Sequence, residues 1–370
     1  MKEEELRYAL ALQKVYGIGD VNAKKLITLC GSPKNVFKEA RSTLKKIKGI
    51  GAARWKELSS SQYVNAADVE MKRIQQHKIK PLYFQDSEYP SLLKNCVDSP
   101  ILLFQDGNYC WKNQRTISIV GTRKMTSYGK EFCKKLIGEL KEYNPIIVSG
   151  FAYGVDVCAH QESFTNKLTT VGVLAHGFGD IYPKAHKKYM AQMYERGGFL
   201  TEFWYEDAPY RENFLKRNRI IAGISEATVV IESADKGGAL VTADIANSYS
   251  KDVFAVPGRN TDTYSKGCNA LIRDCKAALV TNADDIVHML GWEKSQKSKT
   301  VQTKLFLDLT TEERQIIHCL EAHGKERLDP IAIACKMPAF KVANLLFQLE
   351  LKGFVRALPG KKFELLKEPS

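Results

Sequence analysis

The chain has 370 residues, 44% of them hydrophobic and 26% charged, enough to bury full cores and to hold two or three domains. No apolar run approaches the roughly 18 residues of a membrane span, MKEEELRYAL is acidic where a secretory signal is basic, and the nine scattered cysteines form no CxxC pair, so a cytoplasmic protein with reduced thiols and no metal site is expected. The net charge of +13 points to a polyanion but sits on the flanks: residues 1 to 80 hold 17 Lys and Arg against 8 Asp and Glu, residues 291 to 370 hold 14 against 10, and residues 81 to 290 hold 24 of each, so a central anion site must be a local cluster.

Residues 1 to about 65 read as short helices around two similar turns, VYGIGDVNAKKLI (15 to 27) and IKGIGAARWKEL (47 to 58). Each resembles the helix-hairpin-helix unit of small SAM-like domains, whose hairpin N–H groups hold a nucleic-acid phosphate. The same glycines also suit helix caps in a packing module, and both readings stay open. Residues 66 to about 115 begin with a helix over 66 to 77 and continue through short strands and turns punctuated by Pro90, Pro100 and Gly107.

From Thr116 to about Leu290, seven apolar runs alternate with helical patterns of about 10 to 17 residues: TISIV, PIIVS, TTVGVLA, GFLTEF, ATVVIE, DVFAVP and AALV. Strands separated by helix-length crossovers imply a doubly wound parallel sheet in an α/β domain spanning 66 to 290. Residues 291 to 305 are Lys- and Ser-rich without periodicity and read as a linker. Residues 306 to 370 pattern as three helices and a hairpin with Pro359 and Gly360 at its tip, a winged helix. Its third helix, beginning near Pro338, offers Lys341, Asn344, Gln348 and Lys352 but no Arg, which leaves DNA and protein contacts equally open.

Glycine-marked turns follow four of the strands. Gly121, Thr122 and Arg123 follow the first, and Ser149 and Gly150 open SGFAYGVDVCAH after the second. ESADKGGALVTA carries Gly237 and Gly238, and VPGRNTDTYSKGCNALI carries Gly258 and Asn269. Turns of this kind at strand carboxyl ends line one crevice. The dinucleotide spacing GxGxxG and the P-loop GxxxxGK[ST] are both missing, so no nucleotide cofactor is expected. Ser149 and Thr122 suit phosphate contacts better than nucleophilic roles, while His160 and Asp156 read as supports of their turn. The densest cluster is PYRENFLKRNRIIAG, where Arg211, Lys216, Arg217 and Arg219 surround Phe214 and Asn218. Cations beside an aromatic face are what a single nucleic-acid strand requires.

Taken together, SIVGTR, SGFAYGVDVCAH, IYPKAH, NFLKRNRIIAG, VVIESADKGGALVTA, VFAVPG and GCNALI resemble the DprA/Smf family of DNA-processing proteins, in family order over residues 85 to 290. The resemblance implies an extended Rossmann-like domain that binds single-stranded DNA, forms homodimers and loads the recombinase RecA onto incoming strands in natural transformation, without catalytic activity. It places the DNA site on Gly121, Thr122, Arg123, Ser149, Gly150, Arg211, Phe214, Arg217, Asn218, Arg219, Gly237, Gly238 and Asn269, with bases stacking on Phe214. Tyr153, whose ring can still stack though it carries no charge, stands where the family has Arg, His186 where it has Asn, and Gly237-Gly238-Ala239 where it has SGS. The alternative is a Rossmann-type nucleotide phosphoribohydrolase of the lysine-decarboxylase-like group, but the PGGxGTxxE motif that supplies its glutamate is absent from PGRNTDTYSKG.

Overall fold

The computed structural model describes residues 1–39, 56–293, 309–352, 354–358, 360 and 362–365. They fall into two compact units, one on each side of residue 295. The second GIG turn and the stretch 294 to 305 of the expected linker lie outside the described residues.

The first unit is built on nine strands: β1 (Lys80–Tyr83), β2 (Leu102–Gly107), β3 (Thr116–Val120), β4 (Ile146–Ser149), β5 (Thr170–Val173), β6 (Gly197–Thr201), β7 (Ala227–Val230), β8 (Asp252–Ala255) and β9 (Ala278–Leu279). Their order is β1-β2-β6-β5-β4-β3-β7-β8-β9, with β3 to β9 parallel and the edge strands β1 and β2 antiparallel. The seven expected strands are the parallel ones. After β3 the chain steps outward through β4, β5 and β6, then returns to lay β7 on the other side of β3, with Ile117 paired to both Ile147 and Ala227. Winding therefore reverses between β3 and β7, and a crevice opens there at the carboxyl ends of the strands.

Alternation along the strands divides the helices between the two faces. Ile117, Ile119, Ile147, Val229 and Phe254 face α6 (Ser127–Leu140), α7 (Val155–Thr165) and α12 (Ala283–Leu290). Val120, Val148, Val171 and Val230 face α9 (Arg211–Ile224), α10 (Gly238–Ser248) and α11 (Lys266–Arg273). Both faces are covered, which is why these strands read as unbroken β-branched runs. Trp292 belongs to the first of these cores, and its indole N–H donates to Glu226 at 2.8 Å. The fold of this unit therefore extends to this tryptophan, past the boundary at 290 that composition implied.

The amino-terminal helices α1 (Glu3–Lys14), α2 (Asp20–Cys30), α3 (Pro33–Lys38) and α4 (Gln62–Gln76) close over the antiparallel edge of the sheet. Ala9, Leu10, Ala11 and Leu12 are all fully buried, sharing one core with Tyr83, Leu102, Phe104 and Trp204. The boundary expected at residue 65 falls inside α4. Among the described residues the amino-terminal helices share the core of the sheet edge, because α1 is apolar on more than one side and needs that edge as well as α4. The other α-helices among the described residues of this unit are the single turn α5 (Ser91–Lys94) and α8 (Met190–Arg196).

The second unit holds α13 (Thr311–His323), α14 (Leu328–Ala334) and α15 (Ala339–Leu351), with a small sheet in which β12 (Lys362–Leu365) pairs with β10 (Glu326–Arg327) and β11 (Val355–Leu358). A capping box starts α13, with Thr310 accepting from the Glu313 N–H and Glu313 from the Thr310 N–H. Ile316, Leu320, Ile331, Val342, Leu346 and Leu349 form its core. This is the expected winged helix. No single described helix is long and apolar enough to cross a membrane.

Candidate nucleic-acid interface

At the switch point lies a cleft of about 820 Å³. One wall is the turn after β3, Gly121 to Lys124; the opposite wall is the loop after β7 and the start of α10, with Ser233, Lys236, Gly237 and Gly238; Arg211, Phe214, Arg217 and Asn218 of α9 rise from the floor. The turn after β4 braces the first wall. Gly154 has φ +77°, and a side chain there would collide with the Thr122 carbonyl and the Arg123 backbone, so only glycine lets the two turns touch.

The electropositive features converge on this space. The Arg123 guanidinium lies 5.5 Å from the Phe214 ring centroid, and Tyr182 meets the same ring edge-on at 5.6 Å. Arg211, Lys124 and Lys236 are exposed along the lining. Helix α10 begins at the exposed Gly237 and Gly238 with no side-chain cap, so its unpaired N–H groups and positive dipole end open onto the cleft. The Thr122 N–H donates to the Glu232 carbonyl at 2.7 Å, and the Thr122 hydroxyl accepts from the Lys124 N–H at 3.1 Å. Arg123 therefore projects from a pinned turn.

Several expected contacts serve the fold instead. Ser149 is 0% exposed and its hydroxyl donates to the Ile119 carbonyl at 2.6 Å; strand pairing has drawn it under the crevice. Gly150 is buried too: its carbonyl accepts from Arg217 Nη1 at 2.6 Å, and any side chain there would displace that guanidinium. Arg217 is 4% exposed, donates also to the Val173 carbonyl at 2.6 Å, and forms the cleft floor with only a small surface. Burial lowers its pKa to about 10, opposed by Asp156, so it stays charged at neutral pH. Asp156 is shifted the other way, its pKa raised by burial against the pull of Arg217. Asn218 sits at the cleft edge, its amide donating to the Gly238 carbonyl at 3.4 Å.

Arg219 and Asn269 leave the site. Arg219 pairs with Asp20 at 3.1 Å and with Glu202, and donates to the Asp98 carbonyl, stitching α2 to the sheet. Two residues along a helix turn the side chain by about 200°, so Arg219 cannot share the cleft with Arg217. Asn269 is half-buried and exchanges hydrogen bonds with Gly258, donating to its carbonyl at 2.9 Å and accepting from its N–H at 3.2 Å. It shapes a loop beside the cleft. His160 shares a 2.6 Å hydrogen bond with the Thr170 hydroxyl, and burial lowers its pKa to about 3, which keeps it neutral.

Tyr182, Lys124, Lys236 and Tyr264 line the cleft without having been singled out. Lys124 and Lys236 adjoin motif residues and were legible as neighbours; the tyrosines come from segments whose approach only the fold specifies. Among the described residues no group of three or more His, Cys, Asp or Glu side chains is placed to hold a metal ion.

The first GIG hairpin leaves Tyr16, Gly17 and Gly19 exposed, and the carboxylate that follows it is engaged by the fold. Asp20, the first residue of α2, accepts from the Ile101 N–H at 2.9 Å and pairs with Arg219, so a carboxylate already occupies this helix start. In the winged helix, Lys341 pairs with Glu312 and Lys352 with the buried Glu313 at 2.6 Å, while Phe340, Phe347 and Leu351 of α15 are exposed. The helix that would enter a DNA groove thus presents apolar side chains and neutralised lysines.

Comparison with known proteins places this architecture. The family model described as DNA recombination-mediator protein A matches residues 80–291, and that of the DprA winged helix domain matches residues 307–361. A putative DNA processing protein DprA of Mycobacterium tuberculosis is 35% identical over 269 residues, covering 72% of this chain and 69% of that protein. Protein Smf of Escherichia coli is 30% identical over 280 residues, covering 74% and 75%. The X-ray structure of DNA processing protein A from Streptococcus pneumoniae superposes with a TM-score of 0.65 at 30% identity, covering 76% of this chain and 97% of that one. A structure of the Helicobacter pylori DNA processing protein A, described for its single-stranded DNA binding mode, superposes with a TM-score of 0.51 at 25% identity, covering 58% and 95%.

Proposed function

The chain belongs to the DprA/Smf family of DNA-processing proteins, and from that membership we propose that its central cleft binds single-stranded DNA and that the protein acts as a recombination mediator rather than as an enzyme. The observation that carries the reading is Arg123, exposed on a pinned turn above Phe214 and facing the uncapped start of α10 across the switch-point cleft. A cation on one wall and helix N–H groups on the other suit the phosphates of one strand, and the aromatic rim suits its unstacked bases. A duplex has no unstacked bases to offer that rim. In this reading the protein is a cytoplasmic homodimer that shields incoming DNA during transformation and passes it to RecA.

The hydrolase alternative asks for a glutamate at the cleft. Among the described residues the lining carries one carboxylate, Asp156, which is buried against Arg217.

The test is fluorescence anisotropy with labelled oligothymidylate and a duplex of equal length, followed by RecA filament assembly on the bound strand. The reading requires tighter binding of the single strand, loss of that binding in Arg123→Ala, and faster RecA assembly in the presence of the protein. Equal affinity for strand and duplex, or release of free base from a nucleoside monophosphate, overturns it.

A further inference from the structure

Stacking on Phe214 was the expectation from sequence, but the ring is already engaged. It is half-buried on α9, with the Arg123 and Arg217 guanidinium carbons 5.5 and 5.8 Å from its centroid and the Tyr182 ring edge-on at 5.6 Å. A base approaching Phe214 would compete with these groups for a half-buried ring.

Two tyrosines are open here, one lining the cleft and one in the turn that braces its wall. Tyr182 lines the cleft, is 40% exposed, and is backed by an apolar wall that includes Leu174, Phe178 and Met190. Tyr153 is 45% exposed and lies in the turn after β4, between Phe151 with φ +55° and Gly154 with φ +77°. Because Gly154 presses on the Thr122 and Arg123 backbone, Tyr153 stands next to the turn that carries the cleft cation. Its ring packs T-shaped against His186 at 4.8 Å and 72°, and His186 is itself fixed by a 2.9 Å hydrogen bond to the Phe151 carbonyl. One such contact covers at most one face of a ring, and the 45% exposure of Tyr153 leaves the other to solvent. Neither tyrosine hydroxyl is hydrogen-bonded among the described residues, so what each presents is chiefly an aromatic surface.

We propose that Tyr182 and Tyr153 are the surfaces on which two bases of a bound single strand stack, and that Phe214 is a positioning residue that seats Arg123 for phosphate. This rests on the single-stranded DNA reading. The tyrosines hold nucleobases through their rings, so they are indifferent to base identity and need no hydroxyl. Phe214 acts through the cation–π contact, so its effect belongs to the phosphate.

The experiment compares labelled oligothymidylate with an abasic deoxyribose-phosphate oligomer of the same length on the full chain. On oligothymidylate, Tyr182→Ala and Tyr153→Ala each weaken binding about 5- to 150-fold, the range for loss of one stacked base, and the Tyr→Phe variants stay within about two-fold of the parent. On the abasic oligomer all four match the parent. Phe214→Met loses the same factor on both oligomers, as an effect routed through Arg123 must. The proposal is overturned if the alanine variants lose as much on the abasic oligomer, if the phenylalanine variants fail as badly as the alanine ones, or if Phe214→Met recovers parental affinity on the abasic oligomer. Failure of the parent to bind either oligomer removes the single-strand reading itself, a different result from any of these.

Discussion

Arg123 and Arg217 both lie against Phe214, yet one faces solvent and the other is enclosed, and their substitutions should separate accordingly. Arg123→Ala removes an exposed cation: single-strand affinity falls while the unfolding free energy from a urea titration stays within about 0.5 kcal/mol of the parent. Arg217→Met strips two carbonyls of their donor and leaves Asp156 buried without its chief counter-charge; a loss of about 3–5 kcal/mol is expected from the same titration. A third charge sits away from the cleft. Glu202 is buried beside Arg219 and Asp20, and burial outweighs the attraction of Arg219, lifting its pKa to about 7 from 4.5. A carboxyl whose pKa is higher folded than unfolded contributes stability that is complete below about pH 4.5 and is lost as pH rises through about 7. Glu202→Gln, which mimics the protonated form, should gain on the parent as pH climbs through that window. A stability difference that stays flat with pH would mean that Arg219 keeps Glu202 ionised throughout.

At the level of elements, α9 distributes its charges by helical geometry. Arg217 enters the sheet, Arg219 reaches α2, and Arg211 stays at the exposed start beside the cleft. The motif that looks like one basic patch in sequence is two surface cations, Arg211 and Lys216, one buried strut and one inter-element clasp. In the winged helix, α15 is anchored to the α13 start through Lys352 and Glu313, whose carboxylate is 1% exposed and held below the usual range with the help of that lysine. Lys352→Met should leave Glu313 with only the Thr310 groups and speed hydrogen exchange across α13 to α15 by about 5- to 150-fold, equivalent to about 1–3 kcal/mol. Exchange in the sheet unit should not change.

For the molecule as a whole, the excess charge lies on the flanks and the cleft draws on a handful of cations. Arg123, Lys124, Arg211 and Lys236 give four exposed charges along the lining, so log K against log salt for an oligomer filling the cleft should have a slope of roughly −3. A far steeper slope would mean that the basic amino-terminal and winged-helix regions also hold the strand.

The parallel strands, the winding reversal and the winged helix were all legible in sequence. Strands covered on both faces must be continuous β-branched runs, and a helix-length gap between them allows little besides a crossover. Glycine turns marked the carboxyl ends where the crevice opens, and Arg123, Arg211 and the Gly237–Gly238 helix start were found there. Which side of each motif faces that crevice was not legible. Ser149 and Arg217 went inward, and Arg219 and Asn269 went elsewhere, because a helix turns about 100° per residue and a strand reverses at every residue. Only the packing of α9 against the sheet and α2 sets the phase. Tyr153 was legible as a stacking surface from its place in the motif, but Tyr182 lay outside the densest motif: it is 32 positions before Phe214 in the chain, and no spacing announces that its turn will reach the cleft. The sequence determined the scaffold and the mouth of the cleft; tertiary packing decided which side chains are free to use it.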